Sequence, residues 1–156
     1  MRYIFLLLIV ASCVAKDPVP EKSQPSISIF NGAVSTMLGC IFAPQECKQL
    51  KEIKITGGEP FLQDDLIVFL DNLVNWDFAK NIRIEIFTNC SFFPKEKYRS
   101  MLKSFRKVII RLSLDAIGTK AEYIRKKSDW NKTLKVATFW KEYAKENKNI
   151  KILFSI

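Results

Sequence analysis

The chain contains no histidine. That removes mechanisms built on an imidazole base, the Ser-His-Asp triad among them, and the common His-rich zinc sites. Its four cysteines, Cys13, Cys40, Cys47 and Cys90, include no Cys-x-x-Cys pair. Zinc-ribbon and thioredoxin-like motifs are therefore absent. Neither the phosphate-loop nor the dinucleotide glycine fingerprint occurs. No side chain stands out as a general base. The apolar run at residues 3–15 is short for a membrane span.

That run follows Arg2 and ends in small residues, the shape of a secretory signal peptide. Val10-Ala11-Ser12-Cys13 also resembles the lipobox of bacterial lipoproteins, whose cysteine is lipidated. The alternative is a buried strand or helix opening the domain. Residues 16–25 read as a linker, with Pro18, Pro20 and Pro25 among charged and polar neighbours.

With 156 residues, the chain is expected to form one domain, at residues 26–156, behind this leader. Its formal net charge is +9, and residues 1–50 hold four basic and three acidic side chains, so the excess lies beyond them. A basic balance is compatible with an anionic partner. The lysines are spread over several segments, however, which is the commoner pattern of a solvated surface. No strong nucleic-acid motif is present.

The most informative stretch runs from Lys51 to Leu62. Ile53 and Ile55 alternate with Glu52, Lys54 and Thr56, the period of a strand. Gly57-Gly58-Glu59-Pro60 follows. Glycine allows unusual backbone angles and close approach of a ligand, and proline ends the pairing. A strand closing this way presents bare backbone and one carboxylate, although paired glycines also mark ordinary turns.

Alternation predicts strands at 26–30, 50–56, 82–88 and 150–156, and a nearly continuous apolar strand at 107–114. Helical spacing predicts helices at 64–76, from about Pro94, and at 130–146 capped by Asp129. On the second helix Tyr98, Met101, Leu102 and Phe105 share one face, and Lys95, Arg99, Lys103 and Arg106 the other. Alternating strands and helices imply an α/β fold with a parallel sheet. Ligands of such folds sit at the carboxyl ends of strands. Those ends carry Thr56-Gly57-Gly58-Glu59-Pro60, Thr88-Asn89-Cys90 and Ser113-Leu114-Asp115.

On these rim residues, residues 50–156, about two-thirds of the chain, resemble the radical S-adenosylmethionine (radical SAM) enzymes with a twitch-type extension. Ala121-Glu122-Tyr123-Ile124-Arg125 and Asp129-Trp130 add to the likeness. The resemblance implies a partial β/α barrel, a parallel sheet with outer helices. It also implies a core shortened at both ends. The backbone of Gly57, Gly58 and Glu59, ahead of Pro60, would hold the amino group of the methionine moiety. Ser113 and Asp115 would face the ribose or carboxylate, Arg125 would pair with the carboxylate, and Asn89 would be a lesser contact. A guanidinium fork suits a carboxylate.

The family's activity is reductive cleavage of SAM to a 5′-deoxyadenosyl radical, which needs a [4Fe-4S] cluster and an electron donor. The substrate, whether small molecule, peptide or nucleic acid, is not specified by the resemblance. The family's Cys-x-x-x-Cys-x-x-Cys motif is absent here. Cys40 and Cys47 are separated by six residues, and with Cys90 they are the remaining thiolate candidates. Without a cluster, the same rim implies a non-catalytic SAM-like binding module, or an exported lipoprotein using the fold for interaction. The family is cytoplasmic, in tension with the leader.

Overall fold

The computed structural model describes residues 26–30, 48–126 and 128–155, with 26–30 as backbone. The apolar leader, the linker, Cys13, Cys40, Cys47 and the Asn31-Gly32 turn signal lie outside the described residues. Five strands alternate with helices in an α/β arrangement: β1 (Ser26–Phe30), β2 (Glu52–Thr56), β3 (Arg83–Thr88), β4 (Lys107–Ser113) and β5 (Ile150–Ser155). The helices are α1 (Asp64–Asn75), α2 (Glu96–Leu102), α3 (Thr119–Ile124) and α4 (Trp130–Glu146).

All four strand pairings are parallel, and the order in space is the order in sequence, β1 to β5. Register then sorts the strand residues onto two faces. Ile53, Ile84, Val108 and Ile150 align across the sheet, as do Ile55, Ile86, Ile110 and Ile152 one step along. These residues share the hydrophobic core with Leu66, Phe69, Leu70 and Leu73 of α1, Tyr98 and Leu102 of α2, and Val136 and Trp140 of α4. Each large apolar side chain so buried contributes about 1.5–3 kcal/mol relative to an exposed one. A parallel sheet whose right-handed crossovers all step the same way collects its helices on one side. The shared core agrees.

The opposite face carries the charged strand residues together with Phe87, Ile109 and Leu153. Glu85 is buried there, paired with Arg111 and, at 3.9 Å, with Arg83, which also reaches Glu52 at 3.3 Å. Lys54 and Arg111 lie over the Phe87 ring, 5.1 and 5.6 Å from its centroid. Glu52 with Arg83 and Phe87 with Arg111 are aligned across strands, and Glu85 with Arg111 and Lys54 with Phe87 are diagonal neighbours, so the strands make these pairs without any loop contribution.

Several expected boundaries move. α2 begins at Glu96 rather than Pro94 because Lys95 is still extended, with ψ 149°. α1 ends at Asn75, and Asp77 takes a left-handed φ of 61° just beyond it. The Phe78 and Asp77 amides return to the Leu73 and Val74 carbonyls, both at 3.0 Å. This closure usually uses glycine, and aspartate is one of the few substitutes. α3 was not foreseen, since none of its residues is buried and no apolar period marks it. Among the described residues no helix is long and apolar enough to cross a membrane.

Candidate functional site at the strand carboxyl ends

The tip of β2 runs into Gly57 and Gly58, whose φ angles are 100° and 26°. A side chain is strained at either angle, which explains the glycine pair. A Cβ built on Gly58 meets no atom within 4 Å. Space is open there.

Glu59 follows in extended conformation, φ −132° and ψ 101°. Its carboxylate turns toward the next strand tip. The Thr88 hydroxyl lies 2.9 Å from both carboxylate oxygens, and the Asn89 amide donates to Oε2 at 3.2 Å. The Phe61 amide donates to Oε1 at 3.5 Å and is capped by it. Only 8% of Glu59 is exposed. Burial pushes its pKa above the ordinary value, opposed by the hydrogen bonds from Thr88, Phe61 and Asn89 and by the charge of Arg125. Glu59 thus fastens the end of β2 to the end of β3.

Beyond Thr88 the chain turns sharply. Asn89 Oδ1 accepts from the Ser91 amide at 2.9 Å, and the Cys90 amide donates to Thr88 Oγ1 at 3.1 Å. Cys90 holds a left-handed φ of 59° and is fully buried. Burial, with the nearby Glu59 charge, pushes its thiol up to about 12, against a smaller opposing effect of Arg125. It is an uncharged core thiol at neutral pH rather than a thiolate on the rim.

The third tip is Ser113. After it, Asp115 accepts from Arg125 Nε. The hydrogen bond from Arg125 holds the Asp115 carboxyl below its ordinary value.

Three strand ends and Arg125 therefore enclose one cleft of about 360 Å³. Thr56, Gly57, Gly58, Asn89, Ser113 and Arg125 line it, with Phe87 and Thr88 alongside. By register Thr56, Phe87 and Ser113 belong to the face of the sheet that bears Glu85 and Arg111, so the cleft opens over the side away from the helices. Its size falls in the range of small-molecule sites.

Of the residues singled out by sequence, Gly57, Gly58, Asn89, Ser113 and Arg125 meet at this cleft. Asp115 lines an adjoining hollow with Ser113 and Arg125. Glu59 and Pro60 are buried and are not among the residues that line the cleft. Sequence reading assigned no role to Thr88, the partner of the Glu59 carboxylate, or to Phe87. A threonine just before Thr88's neighbour Asn89 looks like any strand end. Its meaning depends on a contact 29 residues away.

A [4Fe-4S] cluster requires thiolate ligands. Among the described residues no group of three or more histidines, cysteines and carboxylates is placed to hold a metal, and the described cysteine, Cys90, is buried. The described residues do not fit the cluster.

Compared with family models, curated proteins and solved structures, the chain matches none.

Proposed function

We propose that the chain is a binding module for S-adenosylmethionine, or for a closely similar amino-acid nucleoside, built on a partial β/α barrel. The observation that supports it most is the convergence of Gly57, Gly58, Asn89, Ser113 and Arg125 on one cleft. The ligand's parts have matching partners there. Bare backbone at Gly57 and Gly58 suits an ammonium group, which seeks carbonyl oxygens at close range. Arg125 suits the carboxylate, at the cost of sharing its charge with Asp115. The Ser113 hydroxyl and the Asn89 amide suit ribose hydroxyls.

Radical chemistry is the further reading for this rim. It rests on the family resemblance, and the described residues supply no donor set for the cluster. No step through a cluster is therefore assigned. Iron and sulfide analysis after anaerobic reconstitution decides it: a stoichiometric [4Fe-4S] cluster would restore the radical reading, and metal-free protein would exclude it. The lipobox-like Val10-Ala11-Ser12-Cys13 makes membrane attachment a separate proposal. Fractionation of wild type against Cys13→Ser tests it.

Calorimetry with SAM, S-adenosylhomocysteine, methionine and adenosine tests the binding reading. Binding of SAM is expected, with adenosine and methionine each weaker. Arg125→Ala should lower affinity by about tenfold or more, the scale of one lost charged pair. No heat at millimolar SAM would remove the proposal.

A further inference from the structure

Behind Arg125 the cleft continues into a second hollow of about 400 Å³. The two share Asn89 and Arg125. The walls of the outer hollow come from the β3–α2 connection, with Ser91 and Phe92, from the segment leading into α4, with Lys126, Ser128 and Asp129, and from the first turn of α4, with Lys132.

The charge in this hollow stays positive once existing partners are counted. Its walls hold Arg125, Lys126 and Lys132 against Asp129. Arg125 is paired with Asp115. The Asp129 carboxylate accepts from the Lys132 amide at 3.1 Å and caps α4, which orients it away from new donors but leaves its charge in place, so the two lysines exceed it by one. Glu122 takes the Trp130 amide at 2.9 Å. The Trp130, Lys132 and Thr133 amides at the start of α4 are therefore occupied, and they do not supply the attraction. Lys126 and Lys132 do: neither forms an ion pair among the described residues.

Two further features are unspent. Lys132 Nζ stands 4.4 Å from the centroid of the Phe92 ring, a cation–π contact that favours placing this exposed ammonium at the mouth of the hollow. Ser128 Oγ is buried and has no hydrogen-bond partner among the described residues. A buried hydroxyl without a partner is unfavourable, and a small shift that brings it to a ligand oxygen recovers that.

We propose that the outer hollow binds the phosphate group of a small phosphate ester, held by Lys126, Lys132 and the Ser128 hydroxyl, beside the SAM cleft. Two ammonium groups and a hydroxyl match a dianion with three acceptor oxygens, where one carboxylate would leave donors unused. The site goes beyond the SAM reading and does not rest on it. A phosphate ester bound here adjoins whatever occupies the inner cleft, with Arg125 and Asn89 as the shared wall.

The full chain is titrated with inorganic phosphate, glycerol 3-phosphate (a monophosphate ester without a nucleoside) and glycerol, at fixed ionic strength. Phosphate and the monophosphate are expected to bind and to compete with each other, and glycerol to leave both unaffected. If the monophosphate binds and inorganic phosphate does not, the ester and not free phosphate is the natural occupant. The double variant Lys126→Ala, Lys132→Ala should weaken both by at least tenfold, and Lys126→Arg, Lys132→Arg should stay within about threefold, since charge is kept. SAM titrated in parallel should respond to neither pair. No heat from phosphate or monophosphate at millimolar concentration overturns the proposal, as does unchanged affinity in the alanine variant. Tighter binding of single-stranded RNA, with a salt dependence growing with phosphates contacted, would overturn it in favour of a nucleic-acid surface. SAM binding without phosphate binding sinks this site alone, and the converse sinks only the SAM reading.

Discussion

Replacing Glu59 tests whether the rim is held as described. Its carboxylate accepts two short hydrogen bonds, from the Thr88 hydroxyl at 2.9 Å and the Asn89 amide at 3.2 Å, and a longer one from the Phe61 amide at 3.5 Å. Bonds to a charged acceptor contribute about 1.5–3 kcal/mol each. Part of that is offset by the cost of burying a charge, visible in the raised pKa. Glu59→Ala removes the acceptor and leaves the Asn89 amide without one, so a net loss of about 2–4 kcal/mol is expected. For a chain of this length each kcal/mol lowers the melting temperature by about 2–4 °C. Glu59→Gln keeps one carbonyl acceptor but turns an NH₂ toward a donor, for about 1–2 kcal/mol.

The pH dependence separates the two costs. A carboxyl whose folded pKa lies above its unfolded one binds more protons when folded. Its stabilising contribution is complete below the unfolded value, near 4.5, and is lost as pH rises through the raised folded value. Wild type should therefore gain stability relative to Glu59→Gln as pH falls toward 4.5, opposite to the behaviour of a salt-bridged acid. Urea unfolding of both proteins across that window measures the difference. A loss under about 0.5 kcal/mol for Glu59→Ala, together with a flat pH difference, would refute the idea that this carboxylate ties β2 to β3.

Other substitutions probe the remaining parts. Gly58→Ala should cost about 1 kcal/mol through its φ of 26° alone, since the new methyl meets nothing within 4 Å. Any loss of SAM affinity beyond that reports on ligand approach to the backbone, by calorimetry. Asp115 should titrate below its ordinary 3.8 by NMR and return toward it in Arg125→Ala. Because its folded pKa is lowered, its small contribution to stability is present above the unfolded value and is lost as pH falls through the folded one. Cys90 should resist alkylation at pH 8 in the folded protein and react in denaturant, as mass mapping of the modified sites will show, because its thiol is buried and pushed up to about 12. Equal labelling of folded and unfolded protein would contradict that burial.

Much of the layout was legible in local pattern. Ile84 and Ile86, or Ile53 and Ile55, alternate because one side of each strand meets helices, and that period survives in the sequence. The α4 boundaries were readable because Asp129 is a capping residue placed directly before an amphipathic run. What stayed hidden depends on contacts distant in sequence. The pairing of Glu85 with Arg111 spans 26 residues, and nothing local marks Glu85 as buried. The inward turn of Glu59 was missed for the same reason. A carboxylate after two glycines reads as a group offered to solvent, and only the position of Thr88 shows that it is taken. α3 left no signal because it has no buried side.

The cleft walls come from positions as distant as Thr56 and Arg125. No single hairpin or loop can form the cleft alone, so a partly opened molecule cannot retain an occupant. Release and the first stage of unfolding then draw on the same fluctuation. A bound molecule should slow hydrogen exchange at the ends of β2, β3 and β4 by a common factor, as one cooperative unit.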